Sequence, residues 1–124
     1  MKKDIEDRKD IELLINSFYD KVKQDAIIGS FFTEVVQVNW EKHLPVIYNF
    51  WENIVFQTGS YNGNPMDKHL ELNKKSLITM EHFQRWILLF NETVDELFLG
   101  TNSELIKQRA LSIATVMQIK ILQA

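Results

Sequence analysis

The chain has 124 residues, enough for one domain with its own core. Hydrophobic residues make up 45% and charged residues 25%, which are ordinary globular values and argue against a disordered chain. A net charge of -3 argues against a nucleic-acid partner, and the lack of cysteine excludes disulfides, zinc–thiolate sites, iron–sulfur clusters and thiol nucleophiles.

The first residues, Met1-Lys2-Lys3-Asp4-Ile5-Glu6, lack the apolar core of an export signal. No apolar run nears the ~20 residues of a membrane span. The expectation is one domain over residues 1–124, in the cytoplasm, with no membrane partner. Three Trp, three Tyr and eight Phe make the chain rich in aromatic rings.

Ile11, Leu14, Ile15, Phe18 and Val22 recur at helical spacing, so Lys9 to Gln24 reads as an amphipathic helix. Gly29 closes the next short stretch, and Ser30-Phe31-Phe32 forms an apolar corner. A second helix is expected from Trp40 to Phe56, with Trp40, His43, Ile47, Phe50, Trp51 and Ile54 on its apolar stripe. Pro45 removes one N–H, so this helix should start late or kink in its first turns.

Gln57 to Asn64, with two Gly and two Asn, reads as loop. Asn64-Pro65 is an N-cap followed by proline at the first helical position, opening a short helix from Met66 to Leu72. Asn73 to Ile78 is polar and irregular. Thr79 then caps a long helix bearing Phe83, Trp86, Ile87, Phe90, Val94 and Leu97 on one face. Gly100 stops it. Thr101 and Glu104 match a capping box that opens a last helix reaching Leu122. Four substantial helices and a short one make an all-α bundle or a globin-like packing.

Few residue types here can do chemistry. His43 lies in an apolar stripe, His69 on the short helix one turn beyond Pro65, and His82 at the start of the long helix. Lone histidines on apolar faces are commonly packing or surface residues. No His-x-x-x-His pair, His-Glu-x-x-His run, glycine-rich phosphate loop or nucleophile elbow is present. Composition and spacing alone leave a helical domain with a His-lined pocket.

Six short segments add to this reading. They are Phe18-Tyr19-Asp20-Lys21-Val22 with Gly29-Ser30-Phe31-Phe32; Trp40-Glu41-Lys42-His43 leading to Phe50-Trp51; Tyr61-Asn62-Gly63-Asn64-Pro65-Met66; Lys68-His69; His82 through Phe90; and Gln108 through Ala114. In this order and at this spacing the chain resembles the truncated haemoglobins, and within them group III. The Gly-Gly turns of the other groups are absent. Ala26 stands where the pattern expects proline, and Asn73 to Ile78 matches no part of it.

The resemblance implies a two-over-two helical sandwich around one haem b. His69 takes the place of the proximal iron ligand, its other ring nitrogen donating to a backbone carbonyl such as that of Pro65. Tyr19, His43 and Trp86 take the distal places. A gas held at haem iron gains partial negative charge, and the O–H of tyrosine and the N–H of tryptophan suit it. Phe31, Phe32, Phe50, Trp51, Phe83 and Phe90 would wall the porphyrin, and Lys68, His82 and Arg85 would meet its propionates.

Three functions follow from this: reversible binding of O2, with NO and CO as further ligands; turnover of NO or peroxide with an unidentified reductase; or a haem-free interaction or sensor module on the same scaffold.

Overall fold

The structure is a computed structural model that describes residues 2–29, 40–59 and 80–123. All regular structure among these residues is α-helical: α1, Arg8–Gln24; α2, Trp40–Phe56; α3, Met80–Leu97; and α4, Thr101–Gln123. The short helix expected over Met66 to Leu72, the irregular stretch Asn73 to Ile78 and the Thr79 cap lie outside the described residues. Among the described residues no helix is long and apolar enough to cross a membrane.

The helices pack as two pairs. α1 lies against α2, α3 lies against α4, and the pairs meet through α1 on α3 and α2 on α4. Every residue of the α1 stripe is buried: Ile11, Leu14, Ile15, Phe18 and Val22. They meet Trp51 of α2, Leu89, Phe90 and Val94 of α3, and Ile106 and Ala110 of α4. The hydrophobic effect thus selects the register of α1, because any rotation would expose several of these side chains to water.

α1 begins at Arg8, one residue before the expected start. Asp7 is its N-cap, with a carboxylate oxygen accepting from the Asp10 amide at 3.1 Å. α2 spans Trp40–Phe56 with Pro45 inside it, so of the two expectations, a late start or a kink, the late start is not what forms. Its end is closed by Asn53: the backbone carbonyl accepts the Gln57 amide at 2.8 Å and the side chain accepts the Gly59 amide at 2.7 Å.

The start of α4 departs from the expected capping box. Thr101 is already helical, and the orphan amides of the first turn go to Asp4, at the other end of the chain. One Asp4 oxygen accepts the Asn102 amide at 2.8 Å, and the other accepts the Ser103 amide at 2.9 Å and the Ser103 hydroxyl at 2.7 Å. The Asn102 side chain donates back to the Ile5 carbonyl at 2.8 Å, and the Leu99 amide donates to the Lys3 carbonyl at 2.9 Å. Ile5, between these contacts, is fully buried. Gly100 makes the approach possible. A Cβ there would sit 2.5 Å from Asp4 Cγ, and its φ of 151° is one that side-chain-bearing residues rarely adopt.

Burial alone would raise the Asp4 carboxyl; the Asn102 and Ser103 donors outweigh it and hold the group below its usual range. Asp10 behaves alike: burial opposes, while the Lys3 ammonium at 2.9 Å and the Glu6 amide win. Both folded-state values are depressed. The stability they contribute is therefore present above the ordinary carboxylate range and lost as pH falls through the depressed values.

Asp4→Ala should cost about 1–2 kcal/mol, the usual value of a helix N-cap. Urea denaturation at neutral and acidic pH tests this. The variant should lose stability at neutral pH and show a shallower acid decline, because one depressed carboxyl is gone. A Thr101→Ala control should cost clearly less; a larger loss there would return the cap to Thr101.

Candidate functional site

Tyr19 follows Phe18 on α1, and helical geometry places neighbouring side chains about 100° apart. Phe18 therefore enters the core while Tyr19 stands at its edge, partly buried. The rings meet edge to face at 5.0 Å. Trp86 reaches the same place from α3, and its ring meets Phe18 at 5.6 Å and 87°. Phe18 is thus the common neighbour of the two polar aromatics.

Behind it the rings continue as a stack. Trp86 lies on Phe90 at 5.5 Å and 14°, and Phe90 on Trp51 at 5.1 Å and 28°. Phe18 meets Phe90 edge-on at 5.1 Å, and Trp51 meets Phe50 edge-on at 5.0 Å. The result is a wall of rings from α1, α2 and α3. Offset stacks and edge contacts are the arrangements favoured by aromatic quadrupoles, and such a wall resists rotamer change. Phe50 also opens onto a cleft of about 320 Å³ between α2 and α4, lined mainly by Ile54, Ile113, Val116 and Met117, with Arg109 and Ser112.

Burial pushes the Tyr19 phenol above its ordinary value, since an anion there would be poorly solvated. Tyr19 stays protonated and remains an O–H donor. Trp86 offers an N–H that does not titrate. The site thus pairs apolar walls with two polar hydrogens.

Of the other residues singled out from the sequence, Phe83 is buried and His82 partly buried, both near the start of α3. Arg85 is committed in part: its Nε donates to Asp25 Oδ2 at 2.6 Å. Phe31, Phe32, Lys68 and His69, together with the side chain of His43, lie outside the described residues. Among the described residues no group of three or more His, Cys, Asp or Glu stands together, so a metal held by side chains alone finds no cage there.

Two participants escaped sequence reasoning. Phe18 looked like any residue of the α1 stripe, although its ring carries both Tyr19 and Trp86. Asp25 had a partial signal, since an aspartate just past a helix end often folds back onto following amides. Its partner Arg85 is too distant in sequence to be read locally.

No family model matches the chain. It is similar to the group 3 truncated haemoglobin ctb of Campylobacter jejuni, at 32% identity over 121 residues, covering 95% of this chain and 93% of that protein. It is also similar to the crystal structure of the group III truncated haemoglobin from Campylobacter jejuni, with a TM-score of 0.83, 31% identity, and coverage of 98% of this chain and 95% of the other. Helical order, the two-pair packing and this likeness over nearly its whole length agree: the chain belongs to the group III truncated haemoglobins and has their globin fold.

Proposed function

We propose that the protein binds haem b through His69 and holds a diatomic gas beneath Tyr19 and Trp86. The observation that carries this is the convergence of the two polar aromatics on Phe18, beside an otherwise apolar wall of rings. A flat apolar macrocycle suits such a wall, and the donors suit a ligand that gains negative charge. Haem would supply the iron at which the gas binds. Haem iron takes a side-chain ligand from the protein, and the neutral imidazole of His69 would supply it.

The chain's own residues do the rest. Phe50, Phe83 and Phe90, with Trp51, Phe31 and Phe32, would keep water out. Tyr19 donates its phenolic hydrogen and Trp86 its indole hydrogen; His43 of α2 completes the distal set. Lys68 and His82 would meet the propionates, with Arg85 contributing through the guanidinium nitrogens that its Nε bond to Asp25 leaves over, and the Pro65 carbonyl would receive the second ring N–H of His69.

Two strong donors around one pocket slow gas release. A carrier must unload, so slow release favours O2 as a reagent, for example for oxidation of NO to nitrate, with electrons from a reductase. Fast release would favour storage or transport instead.

Replacing His69 with Gly should abolish stable haem retention, or make it depend on added imidazole. The absorption spectrum of the purified variant decides. An unchanged Soret band, with loss of haem in His43→Ala, would reverse the proximal and distal assignments. A colourless unmodified protein would instead favour the haem-free module.

The haem should also complete the core, because an emptied cavity among rings is costly and a ligand bound only to the folded state stabilises it. Haem-free protein should therefore melt clearly below the loaded protein in calorimetry. Equal melting temperatures would contradict a haem-centred core.

Tyr19→Phe and Trp86→Phe should each speed O2 dissociation, measured by stopped flow. A hydrogen bond to a charged group contributes roughly 1.5–3 kcal/mol, which is about one to two orders of magnitude in rate. CO is less polar when bound and should respond less. If both variants stay within about twofold of the unmodified off-rate, neither residue donates to the gas.

A further inference from the structure

Among the described residues, two ion pairs join the Tyr19 helix and its C-cap to the Trp86 helix: Lys21 with Glu96 at 2.7 Å, whose carboxylate is exposed, and Asp25 with Arg85, whose carboxylate is buried and whose arginine lies next to Trp86 in sequence. Asp25 lies just past the end of α1, and its amide donates to the Val22 carbonyl at 3.1 Å. Its side chain is only 4% exposed. The two carboxylate oxygens have separate tasks. Oδ1 accepts the Ile27 amide at 2.9 Å and the Ile28 amide at 3.2 Å, which folds the chain into a turn. Oδ2 accepts Arg85 Nε at 2.6 Å. The Asp25 carbonyl accepts the Gly29 amide at 3.0 Å, so the turn is held from both sides.

The placement of this pair has a mechanical consequence. Arg85 immediately precedes Trp86, and successive helical residues are separated by about 100° around the axis. Pinning Arg85 to a point beyond the end of α1 therefore restricts rotation of α3, and with it the direction of the Trp86 indole. Tyr19 lies six residues before Asp25, the residue that caps its helix, so about 9 Å back along the axis. The ring contacts through Phe18 set how near Tyr19 and Trp86 come. Ring contacts alone tolerate sliding, whereas a charge-assisted hydrogen bond between buried and half-buried partners has a fixed length and direction.

We infer that Asp25 and Arg85 are positioning residues for the distal donors: their ion pair sets the rotation of α3 against α1 so that the Tyr19 hydroxyl and the Trp86 N–H are aimed at the same ligand. The inference rests on the reading of those two residues as gas donors. It assigns no contact with the gas to Asp25.

Asp25→Asn separates the two tasks. The asparagine oxygen still accepts the Ile27 and Ile28 amides, so the turn survives, but its NH2 now faces the Arg85 donor and the pair is lost. The loaded protein is examined in two ways: O2 dissociation by stopped flow, and the C–O stretching band of the ferrous protein under CO, which senses nearby donors. The expected result is an off-rate raised about three- to tenfold, with the C–O band broadened or moved towards its position in Tyr19→Phe and Trp86→Phe.

In the double variant Asp25→Asn with Arg85→Gln, the glutamine oxygen occupies the place of Nε and accepts from the asparagine NH2. Both readouts should move back towards the unmodified protein. Asp95→Asn is the control. It removes an exposed pair in which Lys107 Nζ lies 2.7 Å from Asp95, joining α4 to α3, and it should leave the C–O band in place. If Asp25→Asn proves too unstable to load, Arg85→Lys serves with the same criteria, since it keeps the charge and loses the Nε geometry.

An off-rate within twofold and an unmoved band in Asp25→Asn overturn the inference, as does a change no larger than that of Asp95→Asn. Failure of the double variant to recover the band also counts against it. If Tyr19→Phe and Trp86→Phe leave the off-rate unmoved, the donor reading falls and the inference with it. If they speed release while Asp25→Asn does not, only the positioning role fails.

Discussion

The contact of Phe18 with its neighbours governs most of what this molecule can do. Its ring is almost fully enclosed, meets Tyr19, Trp86 and Phe90 edge-on, and stands where α1 crosses α3. Burial of a phenylalanine is favourable by roughly 1.5–3 kcal/mol, and edge contacts add about 0.5–1.5 kcal/mol per pair. The ring is therefore hard to displace. It obliges Tyr19 to lie at the edge of the core rather than in it, and gives the Trp86 indole a fixed neighbour. The stack through Phe90 to Trp51 carries the same constraint into α2. A shape error at position 18 would therefore be felt on three helices.

Apolar packing of this kind selects which faces meet but leaves helices free to slide and rotate slightly. Directional polar contacts remove that freedom at the ends. Asp4 holds the start of α4 against the N-terminal segment, and Asp25 holds α3 against the end of α1. In both, a partly or wholly buried carboxylate gathers backbone amides together with a side-chain donor. In both, those donors overcome the cost of burial and keep the group charged. Unpaired, either carboxylate would be costly to bury. That cost is what makes each clasp specific to one arrangement.

The helices were legible because their apolar residues repeat at helical spacing. Ile11, Leu14, Ile15, Phe18 and Val22 sit in the core as that period requires, and Phe90 and Val94 do the same on α3. Chain ends and junctions were less legible. Thr101 with Glu104 is a good local capping pattern, yet Asp4 takes the amides, and no window of sequence spans contacts 98 and 99 residues apart. The resemblance gives Arg85 a place by the propionates; its bond to Asp25, 60 residues away, has no local signature and adds a second task for the same side chain. The site was legible in another sense. Spacing alone leaves three separate histidines and aromatic stripes, and only the resemblance gives Tyr19, His69 and Trp86 distinct roles.

The choice of donors bears on the kind of gas chemistry the pocket suits. A histidine with its ordinary value titrates near neutrality, so a pocket relying on it changes its hold on the gas with pH. Tyr19 and Trp86 do not. The phenol is pushed upward by burial, and the indole has no proton to lose in water. On the proposed reading the two main donors stay in place from mildly acidic to alkaline conditions, while the carboxylates that position the helices lose their charge only in acid. The pocket then has no proton-driven means of unloading built into Tyr19 or Trp86. Release would be accelerated by moving a donor or by consuming the gas where it lies. Consumption needs no conformational change, and it agrees with helices held by directional polar contacts at Asp4 and Asp25. On the proposed reading, a scaffold that fixes its donors this firmly is better matched to reacting with O2 than to delivering it.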